Sequence, residues 1–196
     1  MLENLQQENK IHLVLNHTSD QQIKNLERHF YTSSSCGVCG KSSIAAIQTV
    51  VKTAQPSKLQ VSDAVLKSLP SALNSAQEIF KDTGGIHAAA LFTSEGRLTS
   101  LCEDVGRHNA LDKLIGQAIL AGQEMSQSVL LLSGRISFEL VHKAAVAHLP
   151  VIAAIGAPSS LAIDTAEAFD ITLIGFLNKD GFNCYNGERR IDFKSK

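Results

Sequence analysis

From residue 88 onward two apolar patterns take turns along the chain. Short unbroken runs such as Val129-Leu-Leu-Leu132 and Val151-Ile-Ala-Ala-Ile155 predict buried strands, and the stretches between them carry apolar residues at helical spacing. The pattern predicts strands over 88–93 and 97–102 about a Ser-Glu-Gly turn. It then predicts a helix over 107–121 ended by Gly122, a strand over 129–132, a helix over 137–148, a strand over 151–155 and a helix over 160–169. A strand pair over 171–176 and 182–185 closes the chain around Asn178-Lys-Asp-Gly181. Upstream, Leu73, Ala76 and Phe80 place a helix over 70–81, with residues 82–85 closing it. A helix over 42–51 precedes the polar linker 53–58, and the first thirty residues offer only a strand over 11–15 and a short helix over 20–30. Continuous apolar strands alternating with helices imply parallel pairing with helices on both faces. The fold class is therefore α/β with a mixed sheet.

The 196 residues suit one compact domain. With 18 basic and 19 acidic side chains the net charge is −1, so no global field draws the chain to nucleic acid or an anionic membrane, and an anionic ligand must be held locally. No apolar run approaches the ~20 residues that span a bilayer, and residues 1–5 lack the layout of a signal peptide. A cytoplasmic location is expected. The four cysteines are too few for a disulfide scaffold, and only Cys36 and Cys39 are close together.

In sheets of this class, ligands collect beyond the carboxyl ends of the strands, where helix N-termini present free N–H groups. Three connections qualify: residues 103–109, 133–136 and 156–160. Each mixes small residues with a hydroxyl, an Arg or a His. Arg107, His108 and Arg135 are the candidate contacts to an anionic, nucleotide-bearing ligand, and His87 stands at the same rim. The competing structural reading is that Asp104 and Ser133 cap helices and that Gly156-Ala-Pro158 turns the chain.

The pair Cys36-Gly-Val-Cys39 admits several chemistries. A structural zinc site would need a second close Cys or Cys/His pair, and the sequence has none. A zinc nucleobase deaminase needs a His-x-Glu, which is also missing, and a P-loop would need Gly where Ser35 stands. Thiol chemistry remains. A following helix and Lys41 favour thiolate, and the flanking Ser and Gly residues favour a reaching loop over a fixed redox centre.

Six blocks of sequence together resemble the FdhD family of formate dehydrogenase accessory sulfurtransferases. They are Ser35-Cys-Gly-Val-Cys-Gly-Lys41, Thr83-Gly-Gly-Ile-His-Ala88, Glu103-Asp-Val-Gly-Arg-His-Asn-Ala-Leu-Asp-Lys113, Ser133-Gly-Arg-Ile-Ser-Phe-Glu139, Ala157-Pro-Ser-Ser-Leu-Ala162 and Leu173-Ile-Gly-Phe176. The resemblance implies a cytidine-deaminase-like three-layer core with a mixed, mostly parallel sheet, occupying 36–196. It also implies that a strand-rich region of the family is missing or replaced in the short segment 1–35. The activity it implies is sulfur transfer: a cysteine desulfurase loads a persulfide on Cys36, with Cys39 as its partner. The sulfur then passes to molybdenum bis(molybdopterin guanine dinucleotide), bound as substrate, which enters formate dehydrogenase. A homodimer is expected, and no metal site. By motif position the cofactor would lie against Phe176, Leu177, Asn178, Lys179, Asp180 and Gly181, where Asn178 replaces an expected Arg or serves a hairpin turn. The alternatives are a cofactor-holding chaperone that passes no sulfur, and a thiol-disulfide oxidoreductase.

Overall fold

In the computed structural model of the chain, residues 57–193 are described in full, and residues 2–3 and 12–13 as paired backbone. The chain divides into two compact units, Met1–Val38 and Cys39–Lys196. In the first, β1 (Leu2–Glu3) pairs antiparallel with β2 (His12–Leu13), inside the strand expected over 11–15. The helices expected over 20–30 and 42–51 lie outside the described residues.

The second unit holds a six-stranded sheet in the order β5-β4-β6-β7-β8-β9. β4 (His87–Phe92) and β5 (Leu98–Asp104) form the expected hairpin; β6 (Val129–Leu132) and β7 (Val151–Ala154) are the apolar runs; β8 (Thr172–Gly175) and β9 (Asn183–Asn186) are the closing pair. The sheet is mixed, as its alternating pattern requires. β5, β6, β7 and β8 point one way, but the parallel ladders are confined to β6–β7 and β7–β8. β4 and β9 reverse because each is joined to a sequence neighbour by a short turn, where a parallel partner would need a crossover helix.

Residue alternation along the strands sends side chains to two separate cores. Ala89, Leu91, Leu130, Leu132, Ile152, Ala154 and Leu173 face three helices: α3 (Arg107–Leu120), α4 (Phe138–Val146) and α5 (Ser160–Ala168). Ala88, Ala90, Phe92, Val129, Leu131, Val151, Ala153 and Ile174 face α1 (Asp63–Ala76). The result is the three-layer arrangement.

The helix expected over 70–81 is in fact two. α1 begins at Asp63, where the Ser62 hydroxyl accepts the Val65 N–H at 3.2 Å, and α2 (Glu78–Thr83) follows a break at Gln77. Pro70 lies inside α1, where a first-turn position was the sequence expectation. Leu66, Leu69 and Leu73 are fully buried on one stripe, each contributing ~1.5–3 kcal/mol of burial, which outweighs what the proline costs. Two very short strands of this unit were not anticipated, and neither was β1. β3 (Val61–Ser62) pairs in parallel with β10 (Ile191–Asp192), and the Gln60 side-chain amide donates to the Arg189 carbonyl at 3.0 Å.

Candidate functional site

Because β5 to β8 run the same way, the connections after all four open on one rim. β4 runs against them, so it begins there, with His87 opposite Asp104. Backbone contacts weld these connections together. The Ala88 N–H donates to Ser133 Oγ at 2.8 Å, and Ser133 returns its own N–H to the Ala88 carbonyl at 3.0 Å. Ile136 and Pro158 form an isolated parallel bridge, Phe176 donates its N–H to the Gly156 carbonyl at 3.2 Å, and Leu177 donates to Ala154 at 2.9 Å. A methyl group on Gly156 would lie 2.7 Å from the Arg135 nitrogen and 2.8 Å from the Gly134 carbonyl, so only glycine allows the two loops this approach. At Gly134 the added carbon would meet the His87 ring at 3.1 Å and, more distantly, the Arg107 side chain at 4.0 Å.

Two helix N-termini at this rim have no side-chain cap. Gly106 precedes α3, and Ser137 precedes α4 without capping it. The Ser137 hydroxyl instead lies 3.0 Å from His108 Nε2 and 3.2 Å from Glu139 Oε2, and His108 Nε2 is 2.9 Å from the same carboxylate oxygen. The N–H groups at the start of α3 and α4 therefore keep their partial positive charge for an external anion. Arg107 opens α3, and its Nε is buried without a hydrogen-bond partner. Arg135 is exposed and has no hydrogen-bond or ion-pair partner among the described residues. The third N-terminus differs: Ser159 caps α5 by accepting the Ala162 N–H at 3.2 Å.

The remainder of the 103–109 connection is occupied with itself. The Glu103 carboxylate accepts the N–H groups of Ile79 and Phe80, both at 3.0 Å, and so caps α2. Burial works to raise its pKa, but those two bonds and the Gln77 amide hold it below the ordinary value. Asp104 is held down to about 2, first by Lys113 and then by the Gly106 N–H, with the Asn109 amide adding to both.

Several expected contacts are therefore assigned differently. Asp104 and Ser133 do hold structure, although neither caps a helix in the expected way. His108, expected to meet phosphate oxygen, turns Nε2 into the Ser137 and Glu139 pair. Leu177 is 1% exposed, and its side chain belongs to the α1-side core, so the cofactor surface expected there excludes that side chain. Asn178 organises its own loop. Its side-chain oxygen accepts the N–H groups of Asp180 at 2.9 Å and Gly181 at 3.2 Å, and its amide donates to the Phe176 carbonyl at 2.9 Å. This is the hairpin-turn role. Phe176 is exposed and adopts φ 54, a conformation unusual for an aromatic residue, where the chain leaves β8 and drops Leu177 into the core. Lys179, Asp180 and Gly181 complete the loop beside it. Arg107, Arg135 and the 176–181 loop are thus brought to one rim. Cys36 and Cys39 lie outside the described residues.

Ser137 and Glu139 stand in the block 133–139 that the sequence singled out, but the sequence assigned them no role. Beyond that block, their local signal is a hydroxyl at the N-cap with an acid two residues on, which reads equally well as ordinary helix capping. No group of three or more His, Cys, Asp or Glu side chains gathers as metal ligands among the described residues, and no helix there is long and apolar enough to cross a membrane.

Comparison with known proteins bears on this rim. The model of the FdhD/NarQ family matches residues 2–192, a range that includes both cysteines of the close pair. A sulfur carrier protein FdhD from Streptomyces avermitilis is 50% identical over 173 residues, covering 87% of this chain and 61% of that protein. One from Thermoplasma acidophilum is 44% identical over 160 residues, covering 81% of this chain and 56% of its own. The chain thus spans about three fifths of the length of these curated relatives. A crystal structure of a protein described as a formate dehydrogenase accessory protein, from Desulfotalea psychrophila, superposes with a TM-score of 0.68. It is 29% identical and covers 78% of this chain and 63% of its own.

Proposed function

Since the chain belongs to the FdhD/NarQ family, we propose that it is a sulfur carrier for formate dehydrogenase maturation, with Cys36 as the carrier thiol. The observation that carries this reading is the family match across residues 2–192, because it takes in Cys36 and Cys39 as well as the rim. In the proposed step the Cys36 thiolate attacks the terminal sulfur of a cysteine desulfurase persulfide. The sulfur–sulfur bond breaks, the desulfurase leaves as thiolate, and Cys36 becomes the persulfide. Cys39 is its partner in the loop. The acceptor is the molybdenum bis(molybdopterin guanine dinucleotide) substrate, whose several phosphates suit two uncapped helix N-termini flanked by Arg107 and Arg135. The buried, unpartnered Nε of Arg107 supports an anion at this position.

Intact-mass measurement after incubation with a cysteine desulfurase and cysteine tests the reading. The protein should gain one sulfur, Cys36→Ala should gain none, and formate dehydrogenase activity in a strain lacking the native gene should return only with the parent. Equal restoration by Cys36→Ala would remove the carrier role and leave a cofactor-holding chaperone.

A further inference from the structure

Eight large apolar side chains stay exposed among the described residues, and half of them gather at one place. Val105, Ile155 and Phe176 directly follow the carboxyl ends of β5, β7 and β8, three strands that point the same way. Ile79 joins them, because Glu103 accepts its N–H and so holds the start of α2 at the same rim.

Local structure gives these side chains no reason to face water. Val105 is 80% exposed in a turn whose polar side chains fold onto their own backbone and helices. Phe176 takes φ 54 and keeps its ring outside, while Leu177 beside it enters the core. The four also flank a charged centre. From β5 to β8 there are four strand spacings of about 4.8 Å, roughly 19 Å in all, and Arg107 and Arg135 meet the β6 connection in the middle of that span. Single apolar residues on a surface are ordinary, but a group of them around one opening marks a face that another protein covers. Leu120 supplies the contrast. It is 78% exposed at the last residue of α3, which runs away from the rim for roughly 20 Å.

We infer that Ile79, Val105, Ile155 and Phe176 form an apolar collar on which the protein that receives the anionic ligand docks. The inference rests on the sulfur-carrier reading above, in which that recipient is formate dehydrogenase without its cofactor. An anion held by the N-termini of α3 and α4 leaves over the open side of the rim, so the recipient's own opening has to come against these side chains. The matching surface is apolar around a cavity built for phosphate. Apolar contacts closed around the opening also exclude water while the ligand changes hands. A desulfurase makes a different demand. It gives one sulfur atom to a thiol and has no use for an anion site, so nothing draws it to this collar.

The test uses the full chain carrying Val105→Gln together with Ile155→Gln, neutral changes that leave the charge of the rim as it was. Purified cofactor-free formate dehydrogenase should bind the immobilised variant about tenfold more weakly than the parent by surface plasmon resonance, and its activation should fall in step. Sulfur gain from a cysteine desulfurase and cysteine should match the parent, and so should GDP affinity. Leu120→Gln should match the parent in every measurement. Val105→Gln alone, at the more exposed of the two positions, carries the same comparison if the double variant loses its circular dichroism. Unchanged enzyme binding in the collar variants would overturn the inference. Three other results would overturn it too: lower sulfur gain with enzyme binding intact gives the face to the desulfurase, lower GDP affinity makes it part of the anion site, and weakening by Leu120→Gln moves docking to the far end of α3. A parent chain that gains sulfur but binds no enzyme sinks the collar and leaves the carrier reading standing. A parent that gains no sulfur sinks the carrier reading, and the collar with it.

Discussion

Two neighbouring turns at the same rim use their polar residues in opposite ways. The turn between β5 and α3 carries the most distinctive run of the sequence, yet nearly all of its polar side chains hold structure. Glu103 caps α2, while Asp104 gathers Lys113, the Gly106 N–H and the Asn109 amide. The turn between β6 and α4 is plainer, with Ser133 fixed to Ala88 and Gly134 pressed against His87, but it leaves Arg135 exposed and α4 uncapped by a side chain. A distinctive motif can thus be mostly scaffold, and the proposed anion site falls where partners are lacking. Arg107 and His108 are the members of the first turn that meet the second, His108 through Ser137 and Glu139.

The comparison can be broken most severely through Gly156, which lets the 156–160 connection touch the second turn. Gly156→Ala would force backbone apart around Arg135 and Gly134, and should cost about 1–3 kcal/mol in chemical denaturation while loosening nucleotide binding as well. A paired experiment sharpens the contrast. Glu103→Ala should cost about 1 kcal/mol of stability through loss of the α2 cap and leave GDP affinity unchanged. Arg135→Ala should leave the melting temperature unchanged and weaken GDP about tenfold, most visibly at low salt. If the two variants behaved alike, the division between scaffold and site would be wrong. The smallest effect concerns acid. Asp104 is held to about 2 in the folded chain against about 3.9 for an unperturbed aspartate, so its contribution is full above about pH 4 and is lost as pH falls toward 2. Asp104→Asn should flatten the pH dependence of the unfolding midpoint within that window alone.

Where side chains repeat in runs, the sequence was readable. β6 occupies the expected 129–132, and Gly122 ends α3 with φ 63, as its place after the helical pattern required. The start of α1 was hidden because the strongest local signal, Pro70, suits a first turn and nothing local reveals that Leu66 and Leu69 have a sheet to pack against. β3 and β10 were illegible for another reason: two residues set no period. At the site, residue types were legible but their partners were not. Sequence marked His108 and Asn178 as polar groups near a ligand. Tertiary neighbours turned one toward Glu139, and the local turn engaged the other.

The ladder between β3 and β10 joins the two ends of the described core, almost its whole length apart in sequence. Residues 57–76 emerge from the ribosome more than a hundred residues before β10, so β3 finds its partner only when residues 191–192 have been made. Until then Leu59 and Val61 lack Ile191, which shares their core, and the edge of that core beside β3 stays open. Translation stalled before residue 188 should therefore leave a nascent chain sensitive to protease around β3, although every strand of the central sheet has been synthesised.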